Sequence, residues 1–282
     1  MSSHTATSTQ PLSTPIVLTI AGSDSGGGAG IQADIKAISA TGSFACSAIT
    51  AITAQNTLGV SAIFPIPLEH IEKQLDAVFT DLNVIAVKVG MLADTDIIKV
   101  VAAKIKQYNP QFVVIDPVMV ATSGDMLLKE SAVATLKSVL FPLADLITPN
   151  LPEGAALTGM SVPQDELDME KMIGQLRDLN VNAVLLKGGH LEANQNSNDL
   201  LIFPDEVHSL SAKRIATKNT HGTGCTLSSA IASYLAQGND LIQSVKLGKR
   251  YISEAIAHAD ELSIGQGHGP VNHFYDGHLA VR

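Results

Sequence analysis

Short apolar runs alternate along this chain with longer segments in which apolar residues recur every three or four positions. The short runs are rich in β-branched residues and predict buried strands, whereas the longer segments have the spacing of amphipathic helices. The predicted strands are Ile16–Ala21, Ala48–Thr53, Val84–Val89, Phe112–Ile115, Leu146–Thr148 and Ala183–Leu186. The predicted helices between them are Ala29–Ala40, Leu68–Asp81, Asp94–Tyr108, Glu130–Leu140 and Asp165–Leu179.

This alternation predicts an α/β fold with a central, mainly parallel sheet and helices on both faces. Near the C-terminus the order changes. Asp199–Phe203 and Val207–Ile215 predict a hairpin, and helices are expected over Gly222–Ala236 and Leu241–Leu262. No repeat or linker-like segment interrupts the pattern, so we expect one domain over residues 15–282.

The composition is that of a globular protein with a sizeable core. Of 282 residues, 45% are hydrophobic and 16% are charged, which excludes disorder over most of the chain. The formal net charge of -9 and the absence of Trp argue against non-specific nucleic-acid binding, which needs clustered cations or aromatic platforms. No apolar run approaches the roughly 20 residues that span a bilayer. The two cysteines, Cys46 and Cys225, are expected to be free thiols.

The first 14 residues differ in composition from the rest of the chain. Met1–Thr14 is rich in Ser and Thr and contains neither Lys nor Arg nor an apolar stretch. It therefore lacks the features of a secretory signal or a transit peptide and predicts a disordered tail. This interpretation favours a cytoplasmic protein.

Small and polar residues follow several of the predicted strands. In open α/β sheets, ligands bind beyond the carboxyl ends of the strands, so these positions are candidates for a functional site. The candidates are Gly22, Gln55, Met91, Asp116, Asn150 and Lys187.

A first glycine-rich segment, GSDSGGGAG, runs from Gly22 to Gly30. It has Gly28 where a Walker motif requires Lys, and no acidic residue follows the next strand as a dinucleotide fingerprint requires. The glycines would let a ligand approach the backbone, or they form a tight turn without a ligand. Asp34 in the following helix points either into the pocket or into water.

A second glycine-rich segment, THGTGC, opens a predicted helix. The backbone N–H groups of Gly222, Thr223 and Gly224 would form an anion cradle at the helix N-terminus. Cys225 in the first turn is expected to have a lowered pKa and to act as a thiolate. The alternative is that Cys225 is a small buried apolar residue. Beside an anion cradle we favour the catalytic interpretation.

Two further motifs have both a functional and a structural interpretation. Asn150 and Glu153 could organise Mg²⁺, usually through water, or they could form a helix-capping box. Lys187, in KGGH, could contact a phosphate or be a solvated lysine at a strand end. His190 in the same motif could be a turn residue.

Several long stretches resemble the ribokinase-like superfamily and, within it, the family of hydroxymethylpyrimidine and phosphomethylpyrimidine kinases. They extend from Thr19 to Ala232 and cover most of the chain after the tail. Ser25-Gly26 departs from the Pro-Ser that many relatives carry there. The stretches are TIAGSDSGGGAGIQADIK, ITAITAQNTLGV, VGMLAD, VIDPVM, LITPNLPE, LLKGGH and TKNTHGTGCTLSSAIA.

The resemblance implies a fold, a reaction and an assembly. The fold would be a single α/β domain, commonly a homodimer. The reaction would be the ATP-dependent, Mg²⁺-assisted phosphorylation of 4-amino-5-hydroxymethyl-2-methylpyrimidine and then of its monophosphate, for thiamin diphosphate biosynthesis. The partners would be these small molecules, with neither nucleic acid nor a membrane.

The resemblance also implies roles for single residues. Gln55 would recognise the pyrimidine, with Gly22, Asp34 and Met91 in the pocket. Cys225 would take the place of the catalytic Asp of ribokinases and act as general base. The remaining roles are an anion hole at Gly222 to Gly224, phosphate contacts from Lys187 and Thr223, and Mg²⁺ held by Asn150 and Glu153.

Two other functions stay open at this point. The first is a pyridoxal kinase, whose substrate also has a nitrogen ring with a hydroxymethyl group. The Gln55 amide favours the pyrimidine, because its oxygen and NH₂ match a ring nitrogen and an adjacent amino group. The second is a nucleotide-binding regulatory module without catalysis. Loss of the general base or of the anion hole would indicate such a module, and the sequence has both.

Overall fold

The computed structural model describes residues 14–119, 130–189, 191 and 196–277. The predicted tail, apart from Thr14, and His190 therefore lie outside the described residues. The strands are β1 (Ile16–Asp24), β2 (Phe44–Asn56), β3 (Gly59–Pro65), β4 (Ala86–Val89), β5 (Phe112–Ile115), β6 (Leu146–Ile147), β7 (Val184–Leu186), β8 (Asp199–Ile202) and β9 (Val207–Leu210). The α-helices are α1 (Gly30–Ala40), α2 (Leu68–Asp81), α3 (Thr95–Tyr108), α4 (Glu130–Thr135), α5 (Leu151–Thr158), α6 (Glu166–Lys171), α7 (Ile173–Arg177), α8 (Thr223–Ala236) and α9 (Leu241–Ala257).

The strands form one sheet in the order β3-β2-β1-β4-β5-β6-β7-β8-β9. The pairs from β2 through β7 are parallel, whereas β3 and the β8–β9 hairpin join antiparallel at the two ends. The predicted mainly parallel α/β fold is thus confirmed. Because parallel strands share one direction, the residues that follow them meet along one edge of the sheet.

Both faces of the sheet are covered. Leu18 and Val87 belong to a core cluster with α2 and α3, whereas their neighbours Val17 and Ala86 belong to a second cluster with α8 and α9. Successive side chains of a strand point to opposite faces, so a strand that is covered on both sides needs consecutive apolar residues. No helix in the described part of the chain is long and apolar enough to cross a membrane.

Some element boundaries differ from the prediction. β3 was missed, and it pairs with a β2 that is longer than expected at both ends. Residues of β3 are mostly exposed, so the segment lacks the buried apolar pattern that marks the other strands. The helix expected over Asp165–Leu179 is divided into α6 and α7, and α9 ends at Ala257 rather than Leu262.

Candidate active site

A cavity of about 740 Å³ opens at the carboxyl edge of the parallel strands. This is where the sequence places the candidate residues, and all but one of the proposed site residues line it. The proposed residues in its lining are Gly22, Gln55, Met91, Asn150, Glu153, Lys187, Gly222, Thr223, Gly224 and Cys225.

Part of the cavity lining is an apolar wall with a polar amide. A Cβ on Gly22 would lie 2.5 Å from the Met91 methyl carbon, so glycine leaves the room that the methionine fills. Gln55 is half-buried at the end of β2 and faces the same space. A flat ring with polar edge groups fits between such a wall and such an amide.

A hydrogen-bonded pair that sequence analysis missed, Asp24 and His221, lies behind Gln55. The Asp24 carboxylate is 2.9 Å from His221 Nε2 and accepts N–H groups from Gly26, Gly28 and Ala29. Burial alone raises the pKa of Asp24, but these hydrogen bonds, that of His221 foremost, bring it below its ordinary value.

This pair affects what Gln55 can offer to a ligand. Gln55 Nε2 lies 3.4 Å from the same His221 nitrogen. A nitrogen whose proton binds Asp24 has no lone pair left for the amide. The Gln55 N–H groups therefore remain available to a ligand in the cavity.

The two glycine-rich segments interlock. Gly222 has a φ of +78°, and a Cβ there would lie 1.8 Å from the carbonyl oxygen of Gly28. A Cβ on Gly28 would in turn lie 2.4 Å from the His221 ring. Both positions therefore require glycine, and the first segment is held against the start of α8.

The start of α8 presents unpaired backbone donors. The Thr223 N–H and hydroxyl both donate to the Thr220 carbonyl oxygen. Within the described part of the chain, the N–H groups of Gly222, Gly224 and Cys225 have no protein acceptor. Unpaired donors at a helix N-terminus that faces a cavity can bind an anion. The set differs from the predicted one, because the Thr223 N–H is paired and the Cys225 N–H is free.

The predicted acidity of Cys225 is wrong. The pKa of its thiol is raised to about 11, mainly by burial; Lys88 opposes the shift, and nearby Asp34 and Asp116 add to it. The helix N-terminus argument considered local sequence only, whereas desolvation and the two carboxylates come from the tertiary structure. In the resting protein Cys225 is a thiol.

An ion pair lies opposite the start of α8. Lys187 Nζ is 3.0 Å from Asp116 Oδ1, which also accepts the Thr148 hydroxyl. Burial lowers the pKa of Lys187, but Asp116 and Glu153 outweigh it and raise the pKa above its ordinary value. Lys187 is thus a fixed cation at the cavity wall, not the solvated lysine of the alternative interpretation.

Asn150 and Glu153 form the capping box that the structural interpretation predicts. Asn150 Oδ1 accepts the Glu153 N–H, and Glu153 Oε2 accepts the Asn150 N–H, each at 2.8 Å. The capping role and a position in the cavity lining therefore coexist. The pKa of Glu153 is raised to about 7, mainly by burial. Lys187 opposes this shift, and Asp116 adds to it.

The raised pKa of Glu153 predicts a pH-dependent stability. Between its ordinary value of 4.5 and about 7, the folded protein holds a proton that the unfolded chain releases, so stability falls as pH rises. Glu153→Gln keeps an acceptor for the Asn150 N–H and carries no charge. We expect the free energy of unfolding of Glu153→Gln, minus that of the parent, to be about 2 kcal/mol higher at pH 8 than at pH 5, as measured by urea unfolding. An equal difference at both pH values would contradict the raised pKa.

A further part of the cavity lining is apolar and includes a lysine. Sequence analysis assigned nothing here, because these side chains come from four separate segments and none of them forms a motif. Apolar walls suit an aromatic base, and a cation in the lining suits a phosphate. The lining residues here are Ala156, Lys213, Ile215, Leu227, Ile252 and Ile256.

Asp34 does not line the cavity. Its side chain is fully buried and binds Lys88, Thr19 and Ser229, so it points neither into the pocket nor into water. Lys88 was itself missed, although a lysine inside the apolar strand AVKV is a signal of a buried charge pair. Asp116 was identified as a position after a strand but received no role.

The chain is similar to a known protein family and to curated proteins. The model of the phosphomethylpyrimidine kinase family matches residues 24–272. A curated hydroxymethylpyrimidine/phosphomethylpyrimidine kinase of Rhizobium meliloti (strain 1021) is 52% identical over 262 residues, 93% of this chain and 98% of that protein.

Solved structures are also similar to this chain. The ADP complex of Bacillus subtilis pyridoxal kinase has a TM-score of 0.85 at 35% identity and covers 93% of this chain and 98% of its own. The phosphomethylpyrimidine kinase of Clostridium difficile 630 has a TM-score of 0.75 at 45% identity, with 86% and 99% covered.

Proposed function

The chain belongs to the phosphomethylpyrimidine kinase family, and from this premise we propose that it transfers the γ-phosphoryl group of ATP to a hydroxymethylpyrimidine. The first acceptor is 4-amino-5-hydroxymethyl-2-methylpyrimidine, and the second is its monophosphate, which becomes the diphosphate used in thiamin diphosphate biosynthesis. The observation that carries the proposal is one cavity whose lining combines the Gln55 amide, a set of apolar side chains and the start of α8 with its unpaired N–H groups.

Lys187 and the start of α8 supply charge neutralisation and alignment, which phosphoryl transfer needs most. The N–H groups of Gly222, Gly224 and Cys225 bind the oxygens of the transferred group, and Lys187 adds a fixed positive charge. Cys225 accepts the proton of the acceptor hydroxyl as a general base. Thr223, at the first position of α8, is assigned to the nucleotide phosphates.

A coupled assay of ADP release tests the proposal with the pyrimidine, its monophosphate and pyridoxal in parallel. We expect turnover of the first two. Pyridoxal is the second candidate, since a pyridoxal kinase structure is similar to 93% of this chain. Turnover of pyridoxal alone would overturn the proposed substrate but not the kinase assignment.

Gln55→Ala tests how the pyrimidine is recognised. The amide N–H groups left free by the Asp24–His221 pair match a ring nitrogen acceptor, and the amide oxygen matches an adjacent amino group. We expect kcat/KM for the pyrimidine to fall by a factor that corresponds to a loss of about 1–3 kcal/mol of transition-state binding. The apparent affinity for ATP should stay unchanged. Exposed Gln164→Ala is the matched control. Equal losses for pyrimidine and ATP would contradict the assignment of Gln55.

We propose Mg²⁺ as the metal of the reaction, held by Asn150 and Glu153 through water. Their side-chain oxygens already accept backbone N–H groups, which fits contact through water better than direct ligation. Asp116 Oδ2 has no hydrogen-bond donor in the described part of the chain and supports the same site. Bound Mg²⁺ would neutralise phosphate charge. Glu153→Gln is expected to raise the Mg²⁺ concentration needed for half-maximal rate.

We propose a homodimer, and the exposed apolar surface of β2 and β3 supports it. Ile52 and Phe64 are paired across these strands and are 49% and 63% exposed. Apolar neighbours on an exposed edge are typical of an interface. Light scattering is expected to give twice the chain mass for the parent and the single mass for Phe64→Glu.

We also propose the extent of the domain and the cellular location of the protein. One continuous sheet supports a single kinase domain over residues 15–282, with residues 1–14 as a tail. The cytoplasm is the proposed location, because ATP is available there and both cysteines are free thiols.

A further inference from the structure

A fully buried lysine lies beneath the cavity floor. Lys88 is in β4, where its neighbours Val87 and Val89 are also fully buried. Its Nζ is 2.8 and 2.9 Å from the two carboxylate oxygens of Asp34, which is likewise buried. A buried ammonium is costly unless it is paired, so this carboxylate is what keeps Lys88 charged.

Lys88 keeps hydrogen-bonding capacity toward the cavity. An ammonium has three N–H donors, and the two Asp34 oxygens are its only acceptors in the described part of the chain. Lys88 nevertheless belongs to the cavity lining. Gly90 makes this arrangement possible, because a Cβ there would lie 2.8 Å from Lys88 Nζ.

The same cluster is tied to the helix that carries Cys225. Ser229, one helical turn after Cys225, donates to Asp34 Oδ1 at 2.8 Å. Thr19 of β1 donates to Asp34 Oδ2 at 2.6 Å. The Lys88–Asp34 pair is therefore fixed relative to the first turn of α8.

Charged groups from four segments of the chain act on the Cys225 sulfur. Desolvation has the largest effect and raises the thiol pKa. Lys88 has the largest lowering effect on that pKa, and Asp34 and Asp116 raise it. Lys187 is also electrostatically coupled to the sulfur. Asp116 and Lys187 pair with each other. Asp34 is paired with Lys88, so the positions of these two charges determine how far each one shifts the thiol pKa.

We propose that Lys88 is a positioning residue whose buried ammonium stabilises negative charge on the sulfur of Cys225, with Asp34 holding the ammonium in place. The inference rests on the proposed function in one respect, the use of Cys225 as base. The thiol first releases its proton to water. The acceptor oxygen then bonds to the γ-phosphorus as the bond to the ADP oxygen breaks, and the hydroxyl proton ends on the sulfur.

The test is the rate of alkylation of Cys225 by iodoacetamide as a function of pH, followed by peptide mass spectrometry. Lys88→Met is expected to slow alkylation at pH 8 about tenfold, because loss of the cation raises the thiol pKa by about one unit. Asp34→Asn is also expected to slow alkylation, because the buried Lys88 ammonium then loses the carboxylate that keeps it charged. Ser229→Ala, which removes a hydrogen bond of the same cluster but no charge, should stay within about twofold of the parent.

Slower alkylation in both charge variants separates electrostatic control from general disruption, because disruption would expose the thiol and speed its alkylation. Unchanged or faster alkylation in Lys88→Met would overturn the proposal. If Lys88→Met does not fold, the neutral pair Lys88→Met/Asp34→Asn replaces it and should still be alkylated more slowly than the parent. The measurement uses neither nucleotide nor pyrimidine, so it stands even if the proposed substrate is wrong.

Discussion

Cys225→Ser is expected to lower the single-turnover rate of phosphoryl transfer by about 10²–10⁴-fold, the usual contribution of a general base. A hydroxyl in this position cannot ionise near neutral pH, whereas a thiol with a pKa of about 11 supplies a small thiolate fraction. The affinities for ATP and pyrimidine should change little, since the N–H groups of α8 remain in place. The measurement is rapid-quench transfer with both substrates saturating.

The pH dependence provides a second readout for the same variant. Below its pKa, the thiolate fraction rises with pH, so the parent rate should rise from pH 7 to pH 9 and the Cys225→Ser rate should not. Cys46→Ser is the matched control, because Cys46 is a thiol whose pKa burial also raises to about 11, and it lies outside the cavity lining. A Cys225→Ser rate within a few-fold of the parent would show that alignment and charge neutralisation suffice.

The alternation of apolar runs and helical spacing was sufficient to predict the sheet and its covering helices. The parallel strands β1 and β4 to β7 are buried on both faces, which leaves a continuous apolar run that is visible in the sequence. β3 has no such run, because it is an exposed edge strand whose pairing with β2 is its main constraint. Its existence depends on tertiary contacts rather than on local composition.

The site shows the same division between local and distant information. The capping box of Asn150 and Glu153 is a three-residue spacing and could be identified directly. The Asp24–His221 pair joins residues 197 positions apart, and no spacing rule reaches that far. The acidity of Cys225 was mispredicted for this reason: its pKa is raised first by burial and then by Asp34 and Asp116, and all three effects come from distant segments that pack around the sulfur.

Gly224→Ala is expected to separate transfer from folding. Gly224 is the second residue of α8 and lacks the positive φ of Gly222, so its backbone accepts alanine, a better helix former. The added Cβ would lie 3.2 Å from both Asp116 Oδ2 and Lys187 Nζ, in the space where the transferred phosphoryl group is proposed to pass. We expect the single-turnover rate to fall at least about 10²-fold, as misplacement of reacting groups by about 1 Å does.

Stability and transfer are therefore measured together, by urea unfolding and rapid quench. Gly174→Ala is the matched control, because Gly174 is also helical and a Cβ there would meet no atom within 4 Å. Both variants should unfold within about 1 kcal/mol of the parent, and only Gly224→Ala should lose transfer. A Gly224→Ala protein that keeps the parental rate would mean that the phosphoryl group does not pass between α8 and the Asp116–Lys187 pair, and the anion cradle would lose its catalytic role.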